Sequence, residues 1–222
     1  MIVAIDGPAG SGKSTTARAV AKRLGFRHLD SGAFYRALVH AALEAGIAPE
    51  HWDDLDERTL DALGVNGRPG DEGFRLYIRD RDITHLLRSE EVNQRVSSIA
   101  RVGAVRAWLL NHLRDAAPGV DLVADGRDIG TVVFPAAELK VFLVADPGER
   151  ARRRLAERGV ERPEETDMRA ETARLLARDR QDSERAVAPL RRAPDAVEID
   201  TTGLSFDEQV DRIIALVEER RG

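Results

Sequence analysis

The chain has 222 residues, of which 42% are hydrophobic and 33% are charged, enough for one substantial core with a small inserted lobe. It contains no cysteine, which excludes a disulfide framework and a thiolate metal site. Its net charge of −5 argues against a nucleic-acid binder that works by bulk electrostatics. Since we find neither a signal-peptide pattern nor a membrane-spanning apolar run, we expect a cytoplasmic protein, and as a default a monomer.

The first part of the chain predicts strands that alternate with helices. Residues 2–5 are wholly apolar and precede a glycine-rich turn, which is typical of a buried parallel strand. Apolar residues at helical spacing predict a helix over 13–24, ended by Gly25. A short second strand at 28–29 and a helix with one apolar face over 34–45 follow.

The middle of the chain predicts an insertion followed by one long helix. Residues 48–88 are mixed in character and contain several glycines, and we interpret them as a small inserted lobe. Within them, residues 74–78 alternate like a strand. From 92 to 113 apolar residues recur every three or four positions, which favours a single long helix.

The last part of the chain returns to alternating strands and helices. Strands are predicted at 120–124, 139–144 and 197–200, with helices over about 167–180 and after the capping pattern at 205–208. An arginine-rich helix is expected to start after Asp146, with Pro147 in its first turn and Glu149 close behind. This alternation predicts an α/β fold whose central parallel sheet is covered by helices on both faces.

The strongest motif lies between the first strand and the first helix. It has a Gly, four residues, and then Gly-Lys-Ser, which is the pattern of a phosphate-binding loop. Glycines let backbone N–H groups turn toward phosphate oxygens, Lys13 can neutralise the β- and γ-phosphates, and the Ser14 hydroxyl can bind Mg²⁺. We therefore predict a nucleoside triphosphate and Mg²⁺ as ligands. The predicted nucleotide-binding residues are Gly7, Pro8, Ala9, Gly10, Ser11, Gly12, Lys13, Ser14 and Thr15.

Two polar segments follow strands and suggest where an acceptor binds. They are residues 30–36 and 125–128, and ligands of open α/β sheets bind beyond the carboxyl ends of strands. Each also has a simpler interpretation, since Asp30 can be a helix cap and residues 125–128 a tight turn with a local ion pair. The chain lacks the Asn-Lys-x-Asp of a regulatory GTPase and the strand-terminal Asp-Glu of a motor or transporter ATPase.

Arginine dominates the basic residues. Of the 34 basic residues 31 are Arg, and thirteen of these lie between Arg150 and Arg192. Genomic base composition or heat adaptation would explain such a bias, and so would a segment that handles phosphates, because guanidinium groups bind phosphate oxygens bidentately. Composition alone leaves both interpretations open.

Four segments together resemble a known family over essentially the whole chain. They read IDGPAGSGK at 5–13, DSGAFYR at 30–36, ADGRDIGTVVFP at 124–135 and RAVAPL at 185–190. They are similar to bacterial cytidylate kinases, a family of P-loop nucleoside monophosphate kinases, and the third segment is specific to that family. The resemblance implies transfer of the γ-phosphoryl group of ATP to CMP, and to dCMP, giving CDP or dCDP and ADP.

The resemblance also implies an architecture and residue roles. It implies one domain over 1–222, with an inserted monophosphate-binding lobe at about 48–88 and a helical lid at about 147–165. The residues expected at the cytosine are Ser31, Ser97, Arg106 and Asp128, and those at the monophosphate are Arg36, Arg127 and Arg185. Arg178 and Asp182 are expected at the pentose, Tyr35 near the acceptor pocket, and Arg150, Arg153 and Arg154 in the lid. The expected catalytic groups are Lys13, Arg127, Arg153, Arg154 and Arg185, and Asp125 is a weaker candidate for ordering the Mg²⁺ shell.

Two other classes of protein share the phosphate-binding loop. One is a nucleotide-gated regulatory protein without an acceptor, which would show no release of ADP dependent on CMP. The other is a small-metabolite kinase such as shikimate kinase, which needs neither an Asp beside an Arg to recognise a base nor so long an insertion.

Overall fold

Strands and helices alternate along most of the chain in the computed structural model, which describes residues 1–70 and 73–222. In chain order the strands are β1 (Ile2–Asp6), β2 (Arg27–Asp30), β3 (Val65–Gly70), β4 (Gly73–Ile78), β5 (Arg81–Asp82), β6 (Leu122–Gly126), β7 (Leu139–Val144) and β8 (Val197–Asp200). The helices are α1 (Lys13–Leu24), α2 (Ser31–Glu44), α3 (Glu57–Leu63), α4 (Glu90–Ile99), α5 (Gly103–Arg114), α6 (Pro147–Glu157), α7 (Glu165–Glu184) and α8 (Phe206–Arg221). Within the described ranges, no helix combines the length and the apolar character needed to cross a membrane.

The central sheet has five parallel strands in the order β2-β6-β1-β7-β8. Its register places Asp125 of β6 opposite Ile5 of β1 on one side and opposite Asp30 of β2 on the other. Because parallel strands end at the same edge of a sheet, the polar residues that follow β1, β2 and β6 meet there. The two polar segments at 30–36 and 125–128 therefore lie at the carboxyl edge of the sheet, as expected.

Helices cover both faces of this sheet, as the alternation of side chains along β1 shows. Val3 and Ile5 are buried on one face, in a core that includes residues of α1 and α8. Ala4 points to the other face, in a core shared with α2, α4 and α5. Successive side chains of a strand point to opposite faces, so a wholly apolar strand is buried on both. The predicted α/β class with a parallel sheet covered on both sides is confirmed.

The insertion between α2 and α4 contains a second, antiparallel sheet. Its strand order is β3-β4-β5, and the strand predicted at 74–78 is β4. Trp52, Leu60, Leu76 and Ile83 are fully buried, and they belong to the same hydrophobic core as residues of α2, α4 and α5. Among the described residues, the insertion thus has no hydrophobic core separate from that of the α/β body.

The single long helix predicted over 92–113 is wrong. The chain forms α4 and α5, with a break at residues 100–102. The carbonyl oxygen of Ala100, at the end of α4, accepts a hydrogen bond from a guanidinium nitrogen of Arg106 at 3.1 Å. The apolar spacing continues across the break because both helices face the same core, so periodicity alone does not reveal the turn.

The other predicted elements are present with shifted ends. The strand expected at 120–124 lies at Leu122–Gly126, and the helix expected over 167–180 extends to Glu165–Glu184. The Asp146 carboxylate accepts from the backbone N–H groups of Gly148 and Glu149, as expected for the start of α6. At the start of α8, Ser205 and Glu208 cap each other's backbone N–H groups.

Candidate active site

The phosphate-binding loop connects β1 to α1 and depends on glycine. Gly12, which precedes α1, has a φ of 84°, in the left-handed region where a side chain is disfavoured. A Cβ on Gly7 would lie 2.2 Å from the backbone oxygen of Leu143, so only glycine fits there. The loop therefore packs directly on β7 and presents its amides together with the N-terminus of α1, as a phosphate site requires.

Lys13 is buried at the start of α1. Its Nζ donates to the backbone oxygen of Pro8 at 3.0 Å. Burial, and then the positive charge of Arg127, lower the pKa of Lys13 well below its usual range. An anionic ligand next to Lys13 would favour its charged form, which is what a nucleotide phosphate provides.

Ser14, Asp125 and His28 form a buried chain of hydrogen bonds. Ser14 Oγ donates to Asp125 Oδ2 at 2.5 Å, and His28 Nε2 lies 2.8 Å from Asp125 Oδ1. Burial raises the pKa of Asp125, but the bonds from His28 and Ser14 and the charge of Lys13 outweigh it, and the net pKa is lowered. An ionised carboxylate thus lies directly behind the predicted Mg²⁺ ligand.

A cleft of about 230 Å³ opens beside these groups at the carboxyl edge of the sheet. It adjoins a wider groove of about 840 Å³ between α4, α6 and α7, and the two share Arg154 and Arg178. Most of the predicted site residues line the cleft. They are Ala9, Gly10, Gly12, Lys13, Ser14, Thr15, Ser31, Tyr35, Arg36, Ser97, Arg127, Asp128, Arg154, Arg178, Asp182 and Arg185.

Four arginines line this cleft, and two of them have acidic partners: Arg127 lies 2.9 Å from Asp182, and Arg154 lies 2.9 Å from Glu157. Burial, followed by the nearby charges of Arg127 and Arg36, lowers the pKa of Arg178 to about 9. The pKa of Arg36 is also lowered, again chiefly by burial. Arg178 Nε is buried and has no hydrogen-bond partner among the described residues. Mutual repulsion in a partly buried site is relieved by an anion, so the cluster formed by Arg36, Arg127, Arg154 and Arg178 is suited to phosphate.

Asp128 lies at the other end of the cleft between two arginines. One carboxylate oxygen pairs with Arg106, and the other is 3.3 Å from a guanidinium nitrogen of Arg185. Arg106, which was expected to bind the cytosine, is buried behind Asp128 and does not line the cleft. Burial raises the pKa of Tyr35 to about 12, so its hydroxyl keeps its proton near neutral pH.

Arg153 and Arg154, both expected in the lid and among the catalytic groups, differ in position. The guanidinium of Arg153 donates to the backbone oxygen of Thr201 at 2.6 Å and to Glu149 at 2.8 Å, and Arg153 does not line the cleft. Consecutive residues of an α-helix project about 100° apart, because a turn contains 3.6 residues. Only Arg154 is on the side of α6 that lines the cleft. Of the loop residues, Gly7, Pro8 and Ser11 also lie outside the cleft lining.

Helices α6 and α7 are tied to the phosphate-binding loop through Ala9. Asp179 of α7 accepts from the Ala9 N–H at 2.9 Å, and Arg150 of α6 donates to the Ala9 backbone oxygen at 3.0 Å. Arg150 and Asp179 also pair with each other. Arg150 therefore holds α6 on the loop and does not line the cleft.

Known proteins are similar to this chain over nearly its whole length. A family model described as Cytidylate kinase matches residues 3–219. The chain belongs to the cytidylate kinase family. Three curated relatives, each called Cytidylate kinase, are from a Geobacillus species (44% identical, 99% of this chain and 97% of the relative), Exiguobacterium sibiricum (44%, 97% and 96%) and Streptococcus pneumoniae (45%, 98% and 97%).

A solved structure supports the fold of this family member. An uncharacterized protein from Eubacterium ventriosum aligns over 98% of both chains with a TM-score of 0.51. At 13% sequence identity this similarity shows the fold alone.

Four charged residues that line the cleft have no role toward a ligand in the sequence analysis: Asp30, Arg88, Arg18 and Glu157. Asp30 accepts from the Ala33 N–H at 3.0 Å, so its interpretation as a helix cap is confirmed. Arg88, at the end of the insertion, lies 3.7 Å from Asp30, and Arg18 is on the outer side of α1. Asp30 was within a recognised motif, but Arg18 and Arg88 follow no pattern that would distinguish them from surface arginines.

The buried carboxyl of Asp6 allows this arrangement to be tested through the pH dependence of the free energy of unfolding. Its two oxygens accept from the backbone N–H groups of Ile129 and Gly130, both at 2.8 Å, which holds the segment after Asp128 against β1. Burial outweighs these bonds and raises the pKa of Asp6 from 3.8 to about 6. Between these values only the unfolded chain releases the proton, so stability contributed by neutral Asp6 is lost as the pH rises toward neutrality.

We expect the free energy of unfolding of the wild type to fall, relative to Asp6→Asn, by about 2 kcal/mol between pH 4 and pH 7. The difference should stay level above pH 7, where Asp6 is ionised in both states. Urea unfolding of both proteins at each pH measures it. A difference that does not vary with pH would contradict a raised pKa for Asp6.

Proposed function

We propose that the chain transfers the γ-phosphoryl group of ATP to CMP, and also to dCMP, giving CDP or dCDP and ADP. The observation that carries this proposal is the single cleft in which Lys13 of the phosphate-binding loop faces four arginines, with Asp128 at its far end. A site for two sets of phosphates beside a carboxylate suits a nucleotide acceptor, and the family membership of the chain points to cytidylate.

The donor half of the site would hold ATP with Mg²⁺. Ser14 fits the cation because its hydroxyl proton points to Asp125, which leaves oxygen lone pairs free for a metal. No group of three or more His, Cys, Asp or Glu side chains suited to a metal occurs in the described residues. Mg²⁺ in kinase sites is held largely by substrate phosphates and water, with few protein ligands. When bound, Mg²⁺ neutralises charge on the transferring phosphates. Lys13 and the loop amides orient the same phosphates.

The acceptor half would hold the nucleoside monophosphate. We assign the monophosphate to Arg36, Arg127 and Arg185, the pentose to Arg178 and Asp182, and the cytosine to Asp128 with Ser31 and Ser97. The acceptor oxygen is already anionic at neutral pH, so transfer needs charge neutralisation and in-line positioning and no general base. Every group in this scheme comes from one chain, which is consistent with a monomer that works in the cytoplasm, where both nucleotides are available.

Two segments would close around the substrates. We propose that residues 48–88 form the monophosphate-binding lobe and that residues 147–165 act as the lid. In support, Arg88 and Arg154, one from each segment, line the same cleft. Closure would exclude water, so that ATP is not hydrolysed in place of transfer.

A coupled assay of ADP release across the four ribonucleoside monophosphates tests the proposed function. We expect the highest kcat/KM with CMP, a lower value with UMP, and only background release with AMP and GMP. ADP release that does not depend on any monophosphate would support the regulatory alternative. A shikimate-dependent reaction in the same assay would support the small-metabolite kinase.

Arg154 tests the role of the lid. Arg154→Ala should lower kcat about tenfold and change the KM for CMP little, because its charge would act chiefly on the transferring phosphoryl group. Arg152→Ala is the matched control, since Arg152 is exposed on the same helix and pairs with Glu149 outside the cleft. An increase confined to the KM for CMP would show that Arg154 serves the acceptor.

A further inference from the structure

His28 is a buried histidine to which none of the roles above is assigned. It lies in β2, and its Nε2 is 2.8 Å from Asp125 Oδ1. The side chains of His28 and Asp125 are only 5% and 2% exposed, so water cannot easily replace this bond. A hydrogen bond between two buried groups at the edge of the site is costly to break, since each partner is left unsatisfied.

The chemistry of Ser14 depends on the orientation of Asp125. A serine oxygen that binds a cation does so through a lone pair, so its proton must be directed elsewhere. Here that proton goes to Asp125 Oδ2. Rotation of a carboxylate about its last bond is soft, and one hydrogen bond to Ser14 does not fix its plane. The second bond, from His28 to Oδ1, fixes it.

The backbone at His28 is also held in place. A Cβ on Gly73, in the second strand of the inserted sheet, would lie 2.7 Å from the backbone oxygen of His28, so the insertion packs closely on this residue. On the side of the insertion, His28 lines a cavity of about 100 Å³ together with Arg18 and Arg36. The imidazole is therefore positioned between this cavity and Asp125, with its backbone unable to shift toward the insertion.

We propose that His28 is a positioning residue for the metal-bound nucleotide: it holds Asp125 in the orientation that directs the Ser14 hydroxyl oxygen to the cation. This inference rests on the proposed function, because it assumes that Ser14 binds the Mg²⁺ of ATP. His28 itself touches neither the metal nor the nucleotide in this scheme. Its loss should weaken the cation-dependent part of nucleotide binding and leave the metal-independent part and the CMP site intact.

Three substitutions separate this role from a simple packing role. His28→Leu removes the donor and keeps an apolar side chain in the space. His28→Gln keeps a donor, since its amide nitrogen is the same number of bonds from Cβ as His Nε2. In His28→Asn the amide nitrogen is one bond closer to Cβ than His Nε2, so it does not reach Asp125 Oδ1. His40→Leu is the matched control, because His40 is in α2 and pairs with Glu44 away from the cleft.

The measurement is the dissociation constant of a non-hydrolysable ATP analogue by calorimetry, in saturating Mg²⁺ and in EDTA. For His28→Leu and His28→Asn we expect the increase in affinity caused by Mg²⁺ to be about tenfold smaller. This is the lower end of the range expected for the loss of one hydrogen bond to a charged group. His28→Gln should retain most of the gain, and His40→Leu all of it. The KM for CMP at saturating Mg²⁺ and ATP should not change.

The proposal would be overturned if Mg²⁺ increased the affinity of His28→Leu for the ATP analogue as much as it does that of the wild type. It would also be overturned if the effect of Mg²⁺ were reduced in His28→Gln as much as in His28→Leu. If His28→Leu fails to fold, the comparison of His28→Gln with His28→Asn decides in the same way. Failure of the proposed function would appear separately, as a wild-type protein that releases no ADP in response to CMP.

Discussion

Replacing Lys13 by alanine should lower kcat about a thousandfold and leave the protein folded. Removing one preorganised group that stabilises developing charge commonly costs a hundred- to a thousandfold in rate, and Lys13 is expected to act on both the β- and γ-phosphates. Among the described residues its Nζ donates to the backbone oxygen of Pro8, and its charged neighbours include Arg127 as well as Asp125. The side chain therefore contributes little to the core, and its removal should relieve repulsion with Arg127.

Lys22→Ala is the matched control, because Lys22 is exposed on the same helix and away from the cleft. Both variants are to be compared with the wild type by ADP release and by thermal unfolding. Near-wild-type turnover in a folded Lys13→Ala protein would refute the assignment of the phosphate-binding loop. A loss of activity with a matching loss of Tm would show that Lys13 supports the fold.

Asp128→Ala should reduce kcat/KM for CMP by about ten- to a hundredfold, the value of one hydrogen bond that involves a charged group. An ionised carboxylate only accepts hydrogen bonds, so it suits the N4 amino group of cytosine and repels the O4 carbonyl of uracil. The value of kcat/KM for UMP should therefore fall far less than that for CMP, and the preference for CMP over UMP should become smaller. The comparison is made at saturating ATP, so that the proposed closure of residues 147–165 over ATP does not affect the ratio.

The buried pair of Asp128 with Arg106 provides the competing explanation for this variant. Arg106 is only 7% exposed, and removing its partner leaves a buried charge uncompensated. If that effect dominates, activity with CMP and with UMP should fall equally and Tm should fall as well. The role of Asp128 in reading cytosine would then be given up, and the phosphoryl-transfer activity would still stand.

The sequence predicted the sheet and the position of the site because both depend on local patterns. The buried strands are short apolar runs, and the phosphate-binding loop is contiguous in sequence. Asp30 and Asp125 lie at the carboxyl ends of β2 and β6. Residues at the ends of parallel strands meet whatever the details of packing. Most of the residues transferred from the family resemblance therefore line one cleft.

Other features could not be predicted because they depend on contacts between distant residues. The break between α4 and α5 is accompanied by a bond from Arg106 to Ala100, within a continuous apolar pattern. The direction of Arg153 depends on Thr201, 48 positions along the chain. His28 shows no motif at all, since its significance depends on Asp125, which is adjacent only once β2 and β6 pair.

The shared core of the insertion limits how this enzyme can be altered. Side chains such as Trp52, Leu60 and Leu76 fill the space against α2, α4 and α5, as buried residues of the kinase body would. Deleting 48–88, or grafting in a shorter segment from another kinase, would expose that apolar surface to water and leave a large void. Acceptor specificity therefore cannot be exchanged here as a detachable module, and changes in it would have to proceed by single substitutions along the cleft.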